Sequence, residues 1–376
     1  MLSIHERSRK QMALNGGSST TSRGARGMWS LGLAVALFAA LAPATTAEAL
    51  AGGPAELPAA GGKATPSDPG PGNDGWCRYP QSRCSPRAYV VNQAANSVSV
   101  INTTTNQVTD TVPVGASPFG IALDQNDQRA YVTNHAANTV SVINTNTDTV
   151  IGTVPVGVGP FGIALDERHG RAYVANRTAG TVSVINTNTT TVTATVAVGG
   201  SPFGIDVDDD GGRAYVTNID SDAVSVINTA TNQVTATVPV GSGPIGVAVD
   251  ARDHRAYVTN QGSDTVSVIN TNTNTVASSI SVGTAPFGIS VDAYRGRAYV
   301  ANQGSDTLSV ISTVTNNVLT ATPVGEAPLG VATYRDGGRV YVTNLLDDDT
   351  SVLNANTNQV TSTVPVGAGP AEVAVG

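Results

Sequence analysis

The quartet Tyr-Val-x-Asn begins at Tyr89, Tyr131, Tyr173, Tyr215, Tyr257, Tyr299 and Tyr341, and every interval is 42 residues with no insertion. A fixed period of this length means stacked supersecondary units, none of which buries its apolar face alone. Seven copies occupy positions 83–376 of the 376-residue chain.

Within one copy the pattern is short and β-rich. Pro118–Asp124, Arg129–Asn134, Thr139–Asn144 and Thr149–Val156 read as four strands, a to d, separated by turns rich in Asn, Asp, Gly and Thr. No useful window has helical periodicity. Four short strands in one repeat make a propeller blade, so the expected fold is all-β, a seven-bladed β-propeller with four antiparallel strands per blade. The copies begin on strand b at Arg87 and end on a lone strand a, Pro370–Val375. The C-terminal strand should therefore pair with the N-terminal strand at Ala88–Val91 and close the ring, leaving no loose inner edge. Prolines in strand d (Pro113, Pro155, Pro239, Pro365) suit an outermost edge. Alternation along strand a predicts Phe119, Ile121 and Leu123 on one face and Gly120, Ala122 and Asp124 on the other.

Tyr-Val-Thr-Asn, followed by Thr-Val-Ser-Val-Ile-Asn-Thr and Val-Pro-Val-Gly-x-x-Pro-x-Gly-Ile-Ala, resembles the YVTN-repeat β-propeller family throughout residues 87–376. The resemblance implies an exported or surface-exposed protein, of a kind found in archaeal surface layers and bacterial periplasms, mostly without assigned catalysis. Some relatives of that family are linked to nucleic-acid binding. Here the repeats hold no lysine and carry a net charge of −11, against a grip on phosphates.

Ahead of the repeats, residues 1–49 read as a signal peptide. Arg7, Arg9, Lys10, Arg23 and Arg26 precede the apolar run Leu31–Leu41, and Ala47-Glu48-Ala49 fits a small-residue cleavage site. An uncleaved anchor is the alternative. Residues 50–86 are Gly/Pro-rich and read as a disordered tether. An oxidising destination would let Cys77 and Cys84 form a disulfide; free thiols or a redox pair are the alternatives. The expected location is secreted, periplasmic or cell-surface, with no membrane span after cleavage and a monomeric ring. Charged residues make up only 13% of the chain, and its four histidines are scattered, so no histidine metal cage is expected.

Repeated polar positions read first as scaffold. An arginine opens strand b in every copy, and Asp124, Asp166, Asp208, Asp250 and Asp292 close strand a, which predicts cross-hairpin ion pairs. The asparagine ending each strand b should hold the b–c turn, with a ring of ligand-binding amides as the other reading. Departures from the repeat are more informative. Asp206 stands in a slot held elsewhere by Ala122, Ala164, Ala248, Ala332 and Ala374, with Ser290 in another blade; Glu372 replaces a glycine. Both acids lie on the innermost strand, so each should face channel water or a ligand, since an unpaired buried carboxylate is costly.

Phe119, Phe161, Phe203 and Phe287 fall near the channel mouth on the face of the d–a and b–c loops, either as ligand contacts or as blade-packing core. The same face carries Asp220, Asp222, Asp264, Asp306, Asp347, Asp348 and Asp349, while His135 and Arg177 are expected on the other side. Asp208-Asp209-Asp210 could hold calcium or be a solvated turn. No phosphate loop, His-Glu-x-x-His pair or Gly-x-Ser-x-Gly elbow occurs. No catalytic residue, metal or cofactor is expected. The sequence points to an exported non-catalytic propeller that binds a protein, peptide or glycan through its loop-rich face; a lactonase- or lyase-type enzyme with acids at the channel mouth is the alternative.

Overall fold

The computed structural model describes residues 86–334 and 338–376. The expected signal peptide and the Cys77–Cys84 pair lie outside them, as does all but the last residue of the expected tether. Seven four-stranded antiparallel sheets stand in a ring. Blade 1 joins Pro370–Val375 to Arg87–Asn92, Ser97–Asn102 and Gln107–Pro113; blades 2 to 7 start at Pro118, Pro160, Pro202, Pro244, Pro286 and Pro328.

Closure occurs as the repeat frame predicts. Val375 pairs with Ala88, Ala374 with Tyr89 and Val373 with Val90. The Arg87 N–H donates to the Gly376 carbonyl at 2.7 Å, and the Gly376 N–H returns to Arg87 at 3.0 Å. This zip joins the two ends of the ring in one sheet, so no inner edge is left unpaired.

Strands b and c are buried almost throughout, whereas strand d is exposed on its outer rim. The tyrosines of the repeat pack between blades: Tyr131 sits with Ile163, Val174 and Ile185 of blade 3. Each fully buried Val, Ile or Leu there contributes roughly 1.5–3 kcal/mol. The b–c turns end on a left-handed residue (Asn96, Asn138, Gly180, Asp222, Asp264, Asp306, Asp348), which explains the choice of Asn, Asp and Gly.

The arginines and acids do not form the expected cross-hairpin pairs. Asp124 caps its own turn, accepting the Asp127 N–H at 3.0 Å, and Asp208 accepts the Gly211 N–H at 2.8 Å. Arg129 instead donates to the Thr187 carbonyl in the c–d loop of the following blade at 2.6 Å. Arg87, Arg171, Arg213, Arg255 and Arg297 make the same reach to Thr145, Thr229, Thr271, Thr313 and Ala355. The guanidinium fork thus clasps neighbouring blades. The strand-b asparagines hold the b–c turn as expected, but through side chains across it: Asn134 donates to the Thr139 hydroxyl at 3.0 Å. Each donates from Nδ2 to a serine hydroxyl on strand c at 2.9 Å, as Asn134 does to Ser141. Their amides are buried inside the blade and form no ligand-facing ring.

Candidate functional site

Strand a lines the axis, and its pairing with strand b shifts register between Pro118 and Ile121, with the same shift in blades 3 to 7. A bulge of this kind re-aims side chains. Simple alternation fails here: Ile121 packs between blades, but Phe119 joins an axial cluster with Phe161, Phe203, Phe287, Ile245 and Leu329. Ring centroids lie 4.9 Å apart for Phe119–Phe161 and 4.6 Å for Phe161–Phe203. The four phenylalanines are at most 5% exposed. They form a plug across the ring, which is the packing-core alternative of the two rather than a set of open ligand contacts.

The first residue of each b–c loop varies among the blades: Gln93, His135, Arg177, Ile219, Gln261, Gln303 and Leu345. Ile219 and Leu345 join the plug. His135 packs against Phe161 with centroids 4.4 Å apart and the rings tilted at 48°, and the Arg177 guanidinium lies 5.5 Å from the Phe161 centroid and 5.9 Å from that of Phe203. His135 and Arg177 therefore share the phenylalanine face, not the opposite one. The b–c and d–a loops meet on that face, because strands b and d both run toward it. Burial lowers both pKa values; Arg177 lowers that of His135 further, and Asp220 partly restores that of Arg177.

The acids of this face have local work. Asp222, Asp264, Asp306 and Asp348 accept backbone N–H groups of Gly243, Ala285, Ala327 and Gly369 at 2.8–2.9 Å, tying each b–c loop to the next d–a loop. Asp347 holds the Glu326 N–H at 2.7 Å, Asp349 accepts from the Asn344 amide at 2.6 Å, and Asp220 accepts from the Ser201 hydroxyl.

On the other side of the plug lies a cavity of 430 Å³. Phe119, Phe203 and Phe287 form its inner end, Ile, Val, Leu and Ala side chains with glycine backbone its walls, and Asp206, Ser290, Glu372 and Glu167 its polar points. The structure thus brings Asp206 and Glu372 to one chamber. They stand on blades 4 and 1, three places apart in a ring of seven. Asp206 accepts the Val249 N–H of blade 5 at 2.7 Å and its neighbour Val207 N–H at 2.9 Å. Burial pushes its carboxyl up to about 6, the two N–H groups opposing. Burial pushes Glu372 up to about 7, opposed by the Val373 N–H. Glu167 at the cavity wall is also raised, by burial and then by Asp124, Asp209 and Asp127.

Glycine at the slot taken by Glu372 has a steric cause elsewhere. A Cβ on Gly204 would sit 2.3 Å from the Ile245 carbonyl of the next blade, and one on Gly288 2.2 Å from that of Leu329. Glu372 instead lays its Oε1 against Gly330 of blade 7. Among the described residues no group of three His, Cys, Asp or Glu side chains could hold a metal, Asp208-Asp209-Asp210 included. Sequence reasoning missed Glu167 and the b–c loop ring; the ring's signal was variation at a single repeat position.

A YNCE-like beta-propeller family model matches residues 164–256. The chain is a β-propeller. No curated protein matches it. Among solved structures, this propeller is similar to hydrazine synthase of Kuenenia stuttgartiensis, at 19% identity and a TM-score of 0.63, over 68% of this chain and 88% of that one. It is also similar to a functionally unknown protein of Desulfotomaculum acetoxidans, at 14% identity and a TM-score of 0.69, over 77% and 98%. A third likeness is to the dihydro-heme d1 dehydrogenase NirN, at 12% identity and a TM-score of 0.58, over 77% and 65%. At these identities the shared property is the fold.

Proposed function

We propose that the protein is an exported, non-catalytic propeller of the YVTN-repeat kind that binds a peptide, protein or glycan partner on its loop-rich face. One observation carries the reading. The repeated arginines and asparagines are engaged inside the ring, while the first b–c loop position differs among most blades and surrounds the phenylalanine plug. Arg177 and His135, packed against Phe161, offer a cation and an imidazole on an aromatic base, which suits carboxylates, sugar faces and peptide groups. The test is binding of the propeller to peptide, glycan and cell-wall fractions, with Arg177→Ala and His135→Ala compared. Loss of binding in both variants, with melts unchanged, supports the reading; undiminished binding refutes it.

A second reading has its own support. Asp206 and Glu372 line one cavity with carboxyl groups held near 6 and 7, a range suited to general acid–base work. Against it, Asp206 is held by two backbone N–H groups. Hydrolysis of a lactone panel, abolished by Asp206→Ala, would establish a lactonase-type enzyme in place of a binding protein.

A further inference from the structure

The central cavity is separate from the loop-rich face: the phenylalanine plug stands between them. Its chemistry is one-sided. Besides Glu167 at its wall, two carboxyl groups line it, Asp206 from blade 4 and Glu372 from blade 1, and no arginine, lysine or histidine does. Neither acid belongs to an ion pair among the described residues; the four pairs there are Arg87–Asp148, Arg168–Asp210, His169–Asp166 and Arg295–Asp292.

Three further features point the same way. The inner end is apolar and aromatic, floored by Phe119, Phe203 and Phe287, which bring no competing cation or hydrogen-bond donor. Glu167 lines the wall, with Asp124, Asp127 and Asp209 close enough to raise its pKa, so the approach is electronegative. The remaining wall is alkyl, including Ile121, Leu123, Ile163, Leu165 and Val247. A calcium or magnesium ion would need about six to eight oxygen ligands, and among the described residues no three acids come together to begin such a shell. An alkyl body with ammonium ends matches all of these surfaces.

We infer that the central cavity is a binding site for a small linear diammonium compound, its two ammonium groups on Asp206 and Glu372 and its chain along the alkyl wall. The carboxylates stand on opposite sides of the axis, so a diamine of matching length reaches both, whereas a monoamine reaches one. The chamber of 430 Å³ is of the size of small-ligand sites. The inference is independent of partner binding on the loop-rich face.

The test is calorimetric titration of the full chain at pH 8 with the linear diamines from 1,3-diaminopropane to 1,6-diaminohexane, and with butylamine. One length should bind best, and butylamine should bind at least about tenfold more weakly, the loss of one charged contact. Asp206→Asn and Glu372→Gln should each weaken the best diamine by about tenfold or more. Asp264→Asn, on the other face, should leave the affinity unchanged. At pH 5 affinity should fall, because protonation removes both charges; the groups facing Asp206 are Asp208 and Asp209, whose repulsion favours its protonated form. Should Asp206→Asn fail to fold, Glu372→Gln, which loses no side-chain hydrogen bond to another blade, decides alone. Absence of diamine binding overturns the inference, as does equal affinity in Glu372→Gln. Equal affinity for butylamine and the diamines also overturns it.

Discussion

Asp206 accepts the Val249 backbone N–H of the next blade at 2.7 Å, a bond that the alanines in the same slot of other blades cannot make. The acid thus ties two blades while standing in a cavity that disfavours its charge. Asp206 and Glu372 have folded pKa values near 6 and 7, above their ordinary 3.8 and 4.5. A carboxyl raised on folding contributes stability that is full below its unfolded pKa and lost as pH rises through its folded pKa. These two groups therefore favour the fold at pH 5 relative to pH 8. Thermal melts should show a higher midpoint at pH 5, and the Asp206→Asn, Glu372→Gln double variant should narrow that difference. An unchanged difference would assign the pH dependence to other groups.

Two glycines should respond oppositely to alanine. A Cβ on Gly204 would lie 2.3 Å from the Ile245 backbone oxygen, so Gly204→Ala must push two blades apart, at a cost of about 1–3 kcal/mol. Gly152, in strand d, meets nothing closer than the Val142 Cβ at 3.9 Å and has no positive φ. Gly152→Ala should be neutral or stabilise by about 0.4–1 kcal/mol, through the unfolded chain. Urea denaturation of both variants distinguishes them; equal midpoints would contradict the close approach of the inner strands.

Thr133 links blades 2 and 3 near the axis. Its hydroxyl accepts the Gly120 N–H at 2.8 Å and donates to the Phe161 carbonyl at 2.6 Å, fully buried. Thr133→Val keeps the shape and leaves both partners unsatisfied, so it should cost about 1–3 kcal/mol. Val91, Ala175 and Ala301 occupy the equivalent slot elsewhere, so one such loss should lower the melting temperature without unfolding the ring. A melt equal to wild type would mean that water replaces the hydroxyl.

Deleting Pro370–Gly376 removes the inner strand of blade 1. Val373 is 4% exposed and Ala371 lies in the axial plug, so apolar contacts are lost along with the Ala371 carbonyl that accepts from Thr343 at 2.8 Å. Strand Arg87–Asn92 would then present a bare edge, which invites aggregation. The truncated protein should melt lower or become insoluble, whereas deletion of Leu50–Gly75 should change little. Melting of the C-terminal deletion like full-length protein would show that the zip adds no stability.

Export is tested separately. The charged segment, apolar run and Ala47-Glu48-Ala49 predict a mature protein beginning near Leu50. Intact-mass measurement from the native host should find that species; a dominant cytoplasmic form retaining residues 1–49 would refute it.

The blade count, the four strands of each blade and the pairing of Pro370–Val375 with Arg87–Asn92 were all legible in the chain. They depend on short-range alternation, turn residues and a strict period, which local physics enforces in every copy. Asp206 and Glu372 were legible for a related reason: a repeat supplies its own baseline, and a carboxyl in an alanine or glycine slot of the innermost strand must face the axis.

What the tertiary structure decided is how the blades meet. The reach of Arg129 to Thr187 crosses from one blade to the next, 58 residues on, where no sequence pattern pairs an arginine with a backbone carbonyl. The bulge between Pro118 and Ile121 turns Phe119 from the interblade face onto the axis, so four phenylalanines close one end of the channel and leave Asp206 and Glu372 in a chamber beyond the plug. Alternation fixes side-chain directions only while the pairing is regular. The convergence of seven strands on one axis sets the rest, because it brings backbone within reach of side chains that are remote along the chain.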